Sequence, residues 1–122
     1  MLNTYYPPAP SPKRCVQLGQ ALNRAFDSFR GDQGVVIMGS GGLRHIRIDE
    51  DLDHGSMAAL KRNDLEYMAA MDPADLVAGT SEIRNWIATA TAGATGGAFV
   101  DYVPCYRNAR GIGCAMGFAA WE

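Results

Sequence analysis

The chain has 122 residues, 48% of them apolar and 20% charged, and a formal net charge of −2. That length suits one domain with one modest core, and residues 1–122 are read as a single domain. The charge balance offers nothing to nucleic acid or an anionic membrane. No apolar run approaches the ~20 residues of a membrane span, and the opening MLNTYYPP does not read as a secretory signal, so the expected setting is the cytoplasm.

Asn3 to Tyr6 is rich in β-formers and stopped by Pro7-Pro8, which predicts a strand or an extended arm. A PAPSP linker follows, with Ser11 as helix cap and Pro12 at the first helical position. Cys15, Leu18, Leu22, Ala25, Phe26 and Phe29 then recur at three and four residues, one apolar helix face closed by Gly31 and Gly34. The continuous apolar run Val35 to Met38 predicts a strand covered on both faces.

Asp49 to Asn63 predicts a polar helix carrying Leu52, Ala59 and Leu60, followed by a short helix from Leu65 to Met71. Asp72-Pro73 caps a further turn ending at Gly79. Thr80 is the expected cap of a helix with Ile83, Trp86, Ile87 and Ala90 on one face, broken by GATGG. Phe99 to Tyr106 and Cys114 to Trp121 predict two closing strands joined by a turn at Asn108 to Gly113. Helices alternate with strands, so the predicted class is α/β, a three-layer α/β/α arrangement around a mostly buried sheet. Cys15, Cys105 and Cys114 show no CxxC spacing and are expected as buried free thiols; the six methionines are expected to fill gaps in the core.

Gly39-Ser40-Gly41-Gly42 raises the functional question. It lacks the spacing of a dinucleotide fingerprint or a phosphate loop. A turn needing positive φ explains it structurally. Functionally, it ends an apolar run just ahead of His45, at the carboxyl end of a strand, where open α/β sheets place ligands. Glu82, in a first helical turn, complements the helix dipole and is also placed to hold a metal ion. His54, beside Asp51 and Asp53, reads as solvated surface.

Together NTYYPPAPSPKRCVQLGQAL, MGSGGLRHIRIDEDLD, GTSEIRNW and DYVPCYRNARGIGCAMGFAAWE resemble, in that order, the carboxy-terminal half of class III extradiol ring-cleavage dioxygenases of the protocatechuate 4,5-dioxygenase β-subunit type. The resemblance implies a central sheet with helices on both faces. It implies non-haem Fe(II) bound by two histidines and a glutamate, with catechol and O2 as partners. Carried over, Glu82 is the iron ligand, and His45 is an acid/base, a task suited to an imidazole. Ser40, Gly41 and Gly42 form the substrate-pocket loop.

Arg44 stands where the family often has serine, which changes the polarity expected of the pocket. The family's two iron-binding histidines come from an amino-terminal half with no counterpart here. The resemblance therefore implies ring cleavage of a protocatechuate- or gallate-like acid by a longer enzyme of which this is a piece, or by a split enzyme with a partner chain. The alternative is a non-catalytic truncated module. In each case self-association is expected from uncovered apolar surface.

Overall fold

A computed structural model of the chain describes residues 2–93 and 96–121. Ser11 caps α1 (Pro12–Asp27), its hydroxyl accepting the Arg14 N–H at 3.2 Å while Pro12 opens the first turn. The buried side of α1 is Pro12, Cys15, Val16 and Gly19. It is rotated from the expected stripe: Leu18 is exposed, and Phe29 lies exposed beyond the helix end. Close backbone approach explains the rotation. A Cβ at Gly19 would stand 2.5 Å from the Ala88 carbonyl oxygen of α4 (Ile83–Gly93), so the small side of α1 makes the contact.

Asp49 caps α2 (Glu50–Arg62), accepting from Leu52 N–H at 3.1 Å; acids fill its first turn and Lys61 and Arg62 its last. Asp64 caps α3 (Leu65–Ala70) in the same way. Two 3-10 turns, Pro73–Asp75 and Ala78–Thr80, lead into α4. The expected Thr80 cap is corrected here, because its hydroxyl donates backwards to the carbonyls of Asp75 and Val77. Arg84, buried, ties the linker to α4 by donating to Pro10 O at 2.7 Å and to Leu76 O. The expected break of α4 at GATGG falls partly on residues 94 and 95, outside the described residues.

β2 (Gly97–Tyr106) and β3 (Ile112–Trp121) form an antiparallel hairpin, and β1 (Arg44–Arg47) pairs antiparallel with the other side of β3. The order is β1-β3-β2. The mixed α/β class is as expected, as a partial fold whose helices lie against one face of the sheet. On that face Trp86 stacks on Phe99 with ring centroids 5.8 Å apart and meets Trp121 edge-on at 6.3 Å.

The opposite face carries exposed Val100, Val103, Met116 and Phe118. It also carries Cys105 and Cys114, which are exposed rather than buried; only Cys15 is an interior thiol. Two methionines fill the core as expected, Met57 and Met68, whereas Met38 and Met116 are exposed.

Val35 to Met38 is the main correction. It is extended chain without a strand partner among the described residues, and Val36 and Met38 are each 85% exposed. An apolar run signals a buried strand only where a neighbour supplies the ladder and a layer supplies cover. Neither is present among the described residues. Asn3 to Tyr6 is likewise an irregular arm rather than a strand. No described helix is long and apolar enough to cross a membrane.

Candidate active site

His45 lies within β1, not in a loop following a strand, and Glu82 immediately precedes α4. Forty positions of sequence carrying α2, α3 and both 3-10 turns separate the Gly42 backbone from that carboxylate, and the fold brings them into contact. His45 Nε2 stands 2.9 Å from Glu82 Oε2, which also accepts the Gly42 N–H at 2.8 Å. The two side chains are 39% and 35% exposed, so the pair is half open to solvent. With Glu82 ionised, Nε2–H donates to it and Nδ1 is left as an acceptor.

The glycines are explained by this pair. Gly41 has φ +146°, and a Cβ there would stand 2.9 Å from the Glu82 carboxyl carbon. A Cβ at Gly42 would stand 2.5 Å from His45 Cε1 and Nε2. The loop runs along the start of α4, where Asn85 Nδ2 donates to Ser40 O at 3.0 Å. The structural reading of the glycine cluster therefore applies, because Gly41 has positive φ, and the same backbone wraps the His45–Glu82 pair.

Strain brackets the histidine. Ile46 has φ +73° and Ala78 φ +48°, conformations that cost roughly 1–2 kcal/mol each in side-chain-bearing residues. The turn holding Ala78 presses on β1, since a Cβ at Gly79 would run into the His45 carbonyl. Such strain persists only where the surroundings over-determine it, and it clusters at functional sites.

Gly42→Ala offers a direct check. The clashing atoms belong to a side chain that can swing aside, so stability should change by about 1 kcal/mol or less. The imidazole, however, should leave Glu82. Its ring resonances in two-dimensional NMR should move, while the core methyl signals of Leu60 and Ile87 stay in place. Unmoved His45 resonances would show that the glycine is not shaping the pair.

Sequence reasoning missed the residues behind β1. Arg44, expected to alter the pocket's polarity, is instead 5% exposed, with Nε donating to Asp53 Oδ1 at 2.7 Å. Asp53 is fully buried and accepts the Tyr102 hydroxyl at 2.7 Å on its other oxygen. Burial first, and then that hydrogen bond, push the Tyr102 hydroxyl well above its ordinary range, so it remains a donor. The signal was available: Asp53, Ser56, Met57 and Leu60 share the spacing of one helix face, and all are buried. His54 is exposed, as expected.

Beside the pair runs an apolar groove of about 720 Å³. Gly39 and Gly41 contribute to it, with Val36, Met38, Trp86 and Phe118. Glu82 and His45 supply two donors of the kind metals take, and no group of three or more His, Cys, Asp or Glu able to hold a metal ion occurs among the described residues. The residues present do not by themselves make an Fe(II) site.

The result is a partial α/β protein with a histidine–carboxylate pair set in a glycine loop beside an apolar groove. Residues 1–117 match the family model described as the catalytic LigB subunit of aromatic ring-opening dioxygenase, and the chain belongs to that family. Over 38 residues it is 47% identical to a gallate dioxygenase of Pseudomonas putida, a match covering 31% of this chain and 11% of that protein.

Proposed function

We propose that this chain is the portion of an extradiol ring-cleavage dioxygenase that carries the acid/base histidine and one carboxylate ligand of a non-haem Fe(II) centre. The substrate class is a catecholic acid of the protocatechuate or gallate type, with O2 as co-substrate. The observation that carries this reading is the 2.9 Å contact between His45 Nε2 and Glu82 Oε2, set in the Ser40-Gly41-Gly42 loop. Family membership and the short stretch shared with a gallate dioxygenase support the substrate class.

Iron, when bound, supplies the Lewis acid and the binding positions for catechol and O2. The remaining ligands come from outside this chain, either from a longer form of it or from a partner chain. His45 takes and returns protons at its ring nitrogens, and Glu82 fixes which nitrogen carries the hydrogen. The glycine loop leaves room beside the imidazole that a side chain would fill. We place the whole in the cytoplasm as a single domain.

Complementation tests the proposal. The chain alone, loaded with Fe(II) without air and then desalted, should retain little metal and cleave no protocatechuate or gallate. Joined to a family amino-terminal half that supplies two histidines, as a fusion or a separate chain, it should retain iron and produce the ring-opened product. Failure of the joined protein to cleave either acid while holding iron would refute the assignment.

The exposed Val36, Met38, Val100 and Phe118 favour a second reading, a self-associating module without catalysis. Both readings predict association of the isolated chain, seen by light scattering as a mass above that of the monomer. Only the first predicts that supplying the missing half restores ring cleavage. A clean monomer at high concentration would count against association in either form.

A further inference from the structure

Cys105 and Cys114 are directly opposed across the β2–β3 hairpin, and His45 on β1 is the register partner of Cys114 on its other side. One cross-strand row thus runs His45, Cys114, Cys105. Both thiols are exposed and free. They lie toward the turn end of the hairpin, away from the apolar groove, whose lining begins at Met116 on β3 and includes neither cysteine. Directly opposed residues in antiparallel strands have Cα atoms about 4.5–5.5 Å apart. A disulfide needs roughly 4.4–6.8 Å. By that spacing the register brings the two Cα atoms within bridging range.

We propose that Cys105 and Cys114 are a reversible dithiol–disulfide site, oxidised by hydrogen peroxide. One thiolate attacks a peroxide oxygen, breaking the O–O bond and becoming a sulfenic acid as hydroxide leaves and is protonated to water. The second thiolate then attacks that sulfur, forming the S–S bond as hydroxide leaves and is protonated to water. Overall two thiols lose two hydrogens and two electrons, and one peroxide becomes two waters.

The bridge would be a switch rather than a staple. The loop it closes is short and the strands are already paired, so the gain from restricting the unfolded chain is small. Reduction is correspondingly easy. The third cysteine does not compete: Cys15 is fully buried, and burial pushes its thiol up to about 11, leaving it almost entirely protonated near neutral pH. Because Cys114 is the register neighbour of His45, the oxidation state of the pair is set one strand away from the imidazole. The site stands on the hairpin register and on the exposure of both thiols in this chain, and does not rest on the proposed function.

The full chain treated with hydrogen peroxide and then denatured should show one free thiol in place of three. Its intact mass should fall by two hydrogens, and a non-reducing digest should yield a linked Cys105–Cys114 peptide. Dithiothreitol should restore all three thiols. Cys15→Ser should bridge like the unaltered chain. Cys105→Ser and Cys114→Ser, at exposed positions, should keep the far-ultraviolet spectrum and lose the bridge, gaining oxygen instead. Independent over-oxidation of both thiols, a bridge only between chains on a non-reducing gel, or unchanged thiol content would each overturn the proposal.

Discussion

Asp53→Ala should lower the stability of the chain by about 3–5 kcal/mol, the cost typical of removing one partner from a buried ion pair. Asp53 has no solvent exposure, and Arg44 only 5%. Alanine would strand the guanidinium in the core, where Arg44 Nη2 already has no hydrogen-bond partner among the described residues. It would also leave the Tyr102 hydroxyl without its acceptor. Urea denaturation monitored by tryptophan fluorescence reads the change, since Trp86 packs against Trp121 at the end of β3.

Asp53→Asn should cost less, because the amide oxygen still accepts one hydrogen bond while the charge is lost. Replacing Arg44 and Asp53 together with methionine and leucine should recover much of the loss, as buried ion pairs exchanged for packed apolar groups often do. A single Asp53→Ala loss within about 0.5 kcal/mol would mean water reaches the pair and that it is not a buried clamp.

The helices were the legible part of this fold, because their determinants are local. Ser11 and Asp72 cap the elements they were expected to cap, and Asp49 and Asp64 cap the two helices expected after them. The hairpin was legible as two strand-like runs joined by the glycine-bearing turn at Asn108 to Gly113. What escaped was set by contacts remote in sequence. The buried face of α1 turned on the nearness of Gly19 to α4, which no periodicity records. Val35 to Met38 has the composition of a strand, but a strand also requires a partner.

Asp53 stands among the acids Asp49, Glu50 and Asp51, yet its helical spacing matches Met57 and Leu60, and position decides its burial over charge. Position and chemistry singled out His45 and Glu82 separately, and only the family pattern joined them as one site. Nothing in residues 39–45 alone shows that a carboxylate near residue 80 will reach them. The structure supplies that contact, together with the reason for Gly41 and Gly42.

If the proposed function holds, then in the chain joined to a family amino-terminal half His45→Ala and Glu82→Ala should fail in different ways. Without the imidazole, proton transfer loses its general acid/base, and ring cleavage should slow by roughly a hundredfold or more. Iron content, measured after desalting, should be unchanged by that substitution, because His45 is assigned no ligand role. Glu82→Ala should instead release the iron, and turnover should return only partly with excess Fe(II). The direct contact sharpens the contrast, since Glu82 Oε2 also anchors Gly42 and the imidazole. Removing it should disturb His45 as well, so the carboxylate variant should show displaced His45 ring resonances even in the isolated chain, where no metal is involved. His45→Gln, which keeps a hydrogen-bonding group but cannot carry a proton between sites, should be nearly as slow as alanine. If Glu82→Ala kept both iron and full turnover, the carboxylate would have no part in the mechanism, and the 2.9 Å pair would be only a structural bridge between β1 and α4.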